Sequence, residues 1–181
     1  MTSLLVSRIL PLIALALAPL QGAPTPAQAV QSDPQHQLLD KLIGHWVLRG
    51  TIGKQETTHD IDAQWVLDKE YVHIHEISRE KDAAGKPQYE AIVLVVWDPK
   101  VGEYAGLWMD TTGLATFPPE AIGHAKPAGD KIPFVFKDPD GGGVRNTFAY
   151  DRAKDEWSWT IDNVSKTGAL TPFARVKLTR K

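Results

Sequence analysis

The chain has 181 residues, 43% hydrophobic, 23% charged and 8% aromatic, with 14 Gly, 13 Pro and no Cys, the composition of one ordinary globular domain. Its 20 Lys and Arg against 22 Asp and Glu give a net charge of −2, which argues against nucleic acid as a partner because no large basic excess is available to neutralise phosphates. Without cysteine, thiol catalysis, iron–sulfur ligation, Cys-based zinc sites and disulfides are all excluded, and stability must come from buried apolar surface.

Residues 1–29 read as an export signal: Arg8 supplies the positive charge, Ile9 to Leu20 the apolar run, and Ala27-Gln28-Ala29 the small-x-small cleavage pattern. Pro11 and Pro19 interrupt a run that is already shorter than the roughly 20 residues a spanning helix needs. The expectation is cleavage near Ala29, a domain over residues 30–181 with no stable membrane insertion, and a periplasmic or secreted bacterial location. The lack of cysteine suits a periplasm better than a disulfide-rich extracellular setting.

The domain opens with Ser32-Asp33-Pro34, a capping side chain before a first-turn proline. Leu38, Leu39, Leu42 and Ile43 follow at helical spacing and Gly44 ends the helix. The apolar period then changes to 2 and stays there almost to the carboxyl end. Trp46, Leu48, Gly50 and Ile52 alternate with Val47, Arg49 and Thr51. Ile61, Ala63, Trp65 and Leu67 form a second such run, and Tyr71, His73, His75 and Ile77 share one face of a third while Val72, Ile74 and Glu76 share the other. Further strands are predicted at Tyr89–Trp97, Glu103–Met109, Ala121–Lys126, Ile132–Phe136, Val144–Tyr150, Glu156–Ile161 and Phe173–Thr179. Trp97-Asp98 with Glu103-Tyr104, and Tyr150-Asp151 with Glu156-Trp157, read as hairpins in which Asp binds the turn backbone and aromatics pair across the strands. Asp82–Pro87 and Asp138–Gly143 are further reversals, and the latter lacks the Gly-Lys-Ser/Thr ending of a phosphate loop.

About ten short strands joined by tight turns exclude a parallel sheet, which needs long crossovers. The predicted fold is all-β: an up-and-down antiparallel barrel of about ten strands, closed to remove its edges, with one short N-terminal helix packed over an end. Leu42-Ile43-Gly44-His45-Trp46 resembles the Gly-x-Trp opening of calycin-like barrels, the group containing lipocalins and fatty-acid-binding proteins. Trp65 to Tyr71, Val96-Trp97-Asp98-Pro99 with Gly102-Glu103-Tyr104, Trp108-Met109-Asp110 with Gly113, and the closing Ala174 to Arg180 are similar to an exported bacterial family of unknown function, the DUF1579-like proteins, for which the resemblance implies a lipocalin-like barrel. Nitrobindin, a haem-carrying barrel with the same kind of opening, holds its iron through a histidine near the end of the last strand. Phe173 to Thr179 contains none, so no cofactor is expected.

Three functional classes follow. The first is a binding or carrier barrel for a small apolar or amphipathic molecule. Trp46, Trp108, Trp157 and Trp159 would serve as aromatic wall, with Tyr71, His73, His75, Tyr89 and Arg145 as polar or head-group contacts. The second is a solidly packed structural barrel whose loops, such as Asp110–Pro119, bind another protein. The third, less favoured, is a metal-dependent enzyme gripping its ion through His73-x-His75. No metal ligand set or catalytic residue is assigned. The hydrolase, β-lactamase and zinc-protease motifs are all absent, and Glu70, Glu76, Asp110 and Glu120 read as exposed strand-end charges.

Overall fold

A computed structural model describes residues 33–113 and 116–181; the expected export signal lies outside the described residues. Helix α1 spans Pro34–Asp40, and ten strands follow: β1 Gly44–Ile52, β2 Gln55–Val66, β3 Tyr71–Ser78, β4 Glu90–Asp98, β5 Glu103–Asp110, β6 Ile122–Ala125, β7 Lys131–Lys137, β8 Gly143–Asp151, β9 Glu156–Val164 and β10 Leu170–Arg180. Each strand pairs antiparallel with its sequence neighbours and β10 returns to β1, which closes the barrel. The predicted fold class is the observed one. Both aromatic hairpins form as expected. Trp97 pairs with Tyr104 and Tyr150 with Trp157 across their strands, while Asp98 and Asp151 accept hydrogen bonds from the turn amides of Lys100 and Ala153.

The hoop is uneven. Strand β6 has four residues, and only His124 and Val135 are in register between β6 and β7. Gly106 and Gly123 flank this thin stretch, and their missing side chains make room for phenyl rings. A Cβ on Gly123 would lie 2.6 Å from Phe136, and one on Gly106 would lie 3.1 Å from Phe134.

One end of the barrel is plugged. Asp33 caps α1 by accepting from the Gln35 amide at 2.9 Å, and the helix and the turn after it bury Leu38, Leu39 and Leu42 against the core. Four tryptophan N–H groups converge on this segment, because a ring buried at a barrel end still needs an acceptor. Trp46 donates to the Leu42 carbonyl at 2.7 Å, Trp157 to the Lys41 carbonyl at 3.0 Å, Trp65 to Asp40 at 2.8 Å and Trp97 to Asp33 at 2.8 Å. The Tyr104 hydroxyl adds a bond to the Gln35 side chain at 2.7 Å, and Arg180 covers the Trp46 ring at 3.7 Å. The chain enters β1 through Gly44, whose φ of +127° disfavours any residue with a side chain. The Gly-x-Trp opening is thus a hinge followed by a plug.

Candidate functional site

Strand direction places residues 53–54, 79–89, 111–113, 116–121, 138–142 and 165–169 at the end opposite the helix. There the barrel interior opens into a cavity of about 650 Å³, within the size range of small-molecule sites. Its wall is apolar and aromatic at Leu48, Phe136, Ile161 and Trp159, and it also carries Thr57, His59, Glu76, Tyr89, Trp108 and Asn146. Trp159 stacks on Phe148 at 4.3 Å and meets Trp108 edge-on at 6.5 Å. The six tryptophans therefore divide: four anchor the plug and two line the cavity. A second concavity, about 620 Å³, lies outside the barrel on β1, β9, β10 and the start of β2. Its polar lining includes Arg49, Glu56, Arg175 and Lys177, all exposed, so it is a solvated wall rather than an enclosed site.

The polar heart of the cavity is a buried pair. His59 and Glu76 are each 3% exposed and are hydrogen-bonded through Nδ1 and Oε1. On the other side of the ring, His59 Nε2 lies 2.7 Å from Thr57 Oγ1, which donates to Glu80 at 2.9 Å. Glu80 also accepts from Ser78 Oγ at 2.8 Å and from the Thr58 amide at 3.0 Å. Burial opposes its ionisation, yet hydrogen bonds from its own backbone, Ser78, Thr58 and Thr57 together bring its pKa down to about 2.

Glu80 is therefore an acceptor only at neutral pH, and it takes the single Thr57 proton. His59 Nε2 must then donate to Thr57, which leaves one proton to be held between His59 Nδ1 and Glu76. The spacing is that of a hydroxyl–imidazole–carboxylate relay, but the hydroxyl proton points away from the imidazole. Thr57 is thus not activated as a nucleophile. The pair carries no net charge whichever partner holds its proton.

Tyr89 stacks on His59 at 5.6 Å. It accepts from Trp108 Nε1 at 3.1 Å and donates to Asp110 at 3.3 Å. Burial, then the charges of Glu76 and Asp110, raise its pKa, so its hydroxyl stays a neutral donor. Two buried polar atoms on cavity-lining residues lack partners, Asn146 Oδ1 and Trp159 Nε1.

The sequence-predicted site residues separate into three groups. Tyr89, Trp108 and Trp159 line the cavity. Trp46 and Trp157 belong to the plug. Tyr71, His73, His75 and Arg145 stand on the outer face, because the buried residues of their strands are the alternate ones: Val72, Ile74 and Glu76 on β3, and Asn146 and Phe148 on β8. His75 is tied to Glu90 at 2.7 Å, and its ring lies 6.4 Å from that of His73. Among the described residues no group of three or more His, Asp or Glu side chains is placed to hold a metal. Glu76 corrects the reading of exposed strand-end charges. It points inward with Val72 and Ile74, whereas Glu70 is exposed in a turn at the plugged end. His59 and Thr57 carried no motif. The available signal was parity, since both share the inward face of Ile61.

No family model matches the sequence, and no curated protein matches it. Among solved structures the chain is similar to Rv2717c from M. tuberculosis, with a TM-score of 0.55 and 18% identity over 82% of this chain and 98% of that one, a likeness of fold.

Proposed function

We propose that the protein is a binding or carrier barrel that takes a small amphipathic molecule into its cavity, in the periplasmic setting that residues 1–29 suggest and in line with the resemblance to exported DUF1579-like proteins. The observation that carries this reading is a cavity of about 650 Å³ that remains open although the opposite end is packed and bonded shut. A barrel serving only as a scaffold gains more by filling such a space, because unfilled volume forfeits packing energy. The wall composition also fits, with apolar and aromatic surface interrupted by a few fixed polar groups.

The test is a titration with the neutral probe N-phenyl-1-naphthylamine, read by its own emission and by quenching of Trp108 and Trp159, on wild type and on Val144→Trp, which fills the cavity. Saturable binding near one per chain, lost in Val144→Trp, supports the reading. No binding by neutral, cationic or anionic probes overturns it.

A further inference from the structure

We infer that the ligand is an organic cation, an amphipathic amine whose protonated nitrogen sits at the cavity mouth. The inference rests on the proposed binding role of the cavity and concerns its charge. No lysine or arginine lines the cavity, whereas Glu76, Asp110, Glu120 and Asp138 all do. Glu76 is neutralised as a pair with His59, as the proton inventory above requires. The other three carboxylates form no ion pair among the described residues, while acids away from the mouth such as Asp60, Asp130 and Asp155 are matched to Arg or Lys, and at the rim Asp140 is matched to Lys166. Asp110 is held in place by the Thr112 hydroxyl at 2.6 Å and by the amides of Thr112 and Gly113, so its charge is fixed at the rim.

The remaining contacts agree with a cation. Buried Asn146, 2% exposed, has an acceptor oxygen without a donor, and an ammonium or amide N–H would supply one. Trp108 and Tyr89 are tied to Asp110 through the Tyr89 hydroxyl, so the wall next to that carboxylate is aromatic, a setting in which organic cations are also held by ring faces. A fatty acid would bring its carboxylate toward three like charges with no arginine or lysine in the cavity lining to receive it and with Lys166 at the rim already paired with Asp140, which costs affinity. The unpartnered Trp159 N–H adds a preference for an oxygen acceptor in the ligand body.

The experiment compares three probes of equal chain length, dodecylammonium, dodecan-1-ol and dodecanoate. Each competes with N-phenyl-1-naphthylamine at pH 7, low salt and below its micelle concentration. Dodecylammonium is expected to bind at least tenfold more tightly than dodecanoate and more tightly than the alcohol. Glu120→Gln combined with Asp138→Asn, neither of which removes a hydrogen bond or ion pair described above, should shrink that ratio by at least threefold. Equal or tighter binding of dodecanoate or dodecanol overturns the charge assignment and leaves the binding cavity standing. So does a ratio unchanged both in the double variant and in Asp110→Asn. If no probe binds, the proposed function itself fails.

Discussion

Replacing His59 or Glu76, singly and together, separates what the barrel needs from what its interior is for. Both side chains are 3% exposed and bonded to one another. His59→Leu leaves a buried carboxylate without its partner, a change that costs about 3–5 kcal/mol. Glu76→Leu leaves one imidazole nitrogen unsatisfied, a lesser loss of about 1–3 kcal/mol. The double leucine variant removes both polar groups and sets apolar volume beside Leu48 and Ile61, so its stability should fall within about 1 kcal/mol of wild type. That is a favourable coupling of several kcal/mol in the double-mutant cycle. Urea unfolding at pH 7, followed by far-ultraviolet circular dichroism, measures all four corners. If His59→Leu costs under 1 kcal/mol, or the double variant is as damaged as the worse single one, the buried-pair reasoning is refuted. A double variant that is stable but no longer binds the probe would show that the pair is kept for the ligand rather than for the fold.

Other outcomes follow from particular contacts. Asp33→Ala removes both the helix cap and the acceptor for Trp97 Nε1, so unfolding measurements should show a loss of about 1–3 kcal/mol; an unchanged midpoint would mean the plug holds without its cap. Gly123→Ala places a methyl 2.6 Å from the Phe136 ring. It should destabilise by about 1–3 kcal/mol and, by pushing that ring into the cavity, weaken probe binding, and no change in either quantity would contradict it. Glu80 drops on folding from 4.5 to about 2, so it adds stability that is complete above the higher value and disappears as pH falls through the lower one. Glu80→Gln should therefore differ most from wild type at pH 5–7 and converge toward it near pH 2. Parallel stability curves across that span would count against the assignment.

The two-residue rhythm exposed all ten strands because one face of each is apolar and the turns are marked by Asp, Gly and Pro. It failed where the inward face turns polar. Strand β2 begins at Gln55, ahead of the apolar alternation that starts at Ile61, because Gln55, Thr57 and His59 face a cavity and not a packed core. The same blindness made Glu76 look solvated, although Val72 and Ile74 on its face identified the side it occupies. On β3 the histidine pair drew attention by its spacing, and spacing alone does not say which face is inside. The tryptophans were legible as wall material. Their division between plug and cavity depends on acceptors in α1 and the turn after it, far away in sequence: Trp157 bonds Lys41 and Trp97 bonds Asp33.

The arrangement of the strands has a consequence for how such a chain can change. Everything that shuts the barrel, from the capped helix to the four indole bonds, sits at one pole, while the segments between β1 and β2, β3 and β4, β7 and β8, and β9 and β10, with residues 111–113 and 116–121, are gathered at the other. Foldability and taste are thereby assigned to opposite poles, and the rim can be rewritten for a new guest without touching the residues on which the scaffold depends.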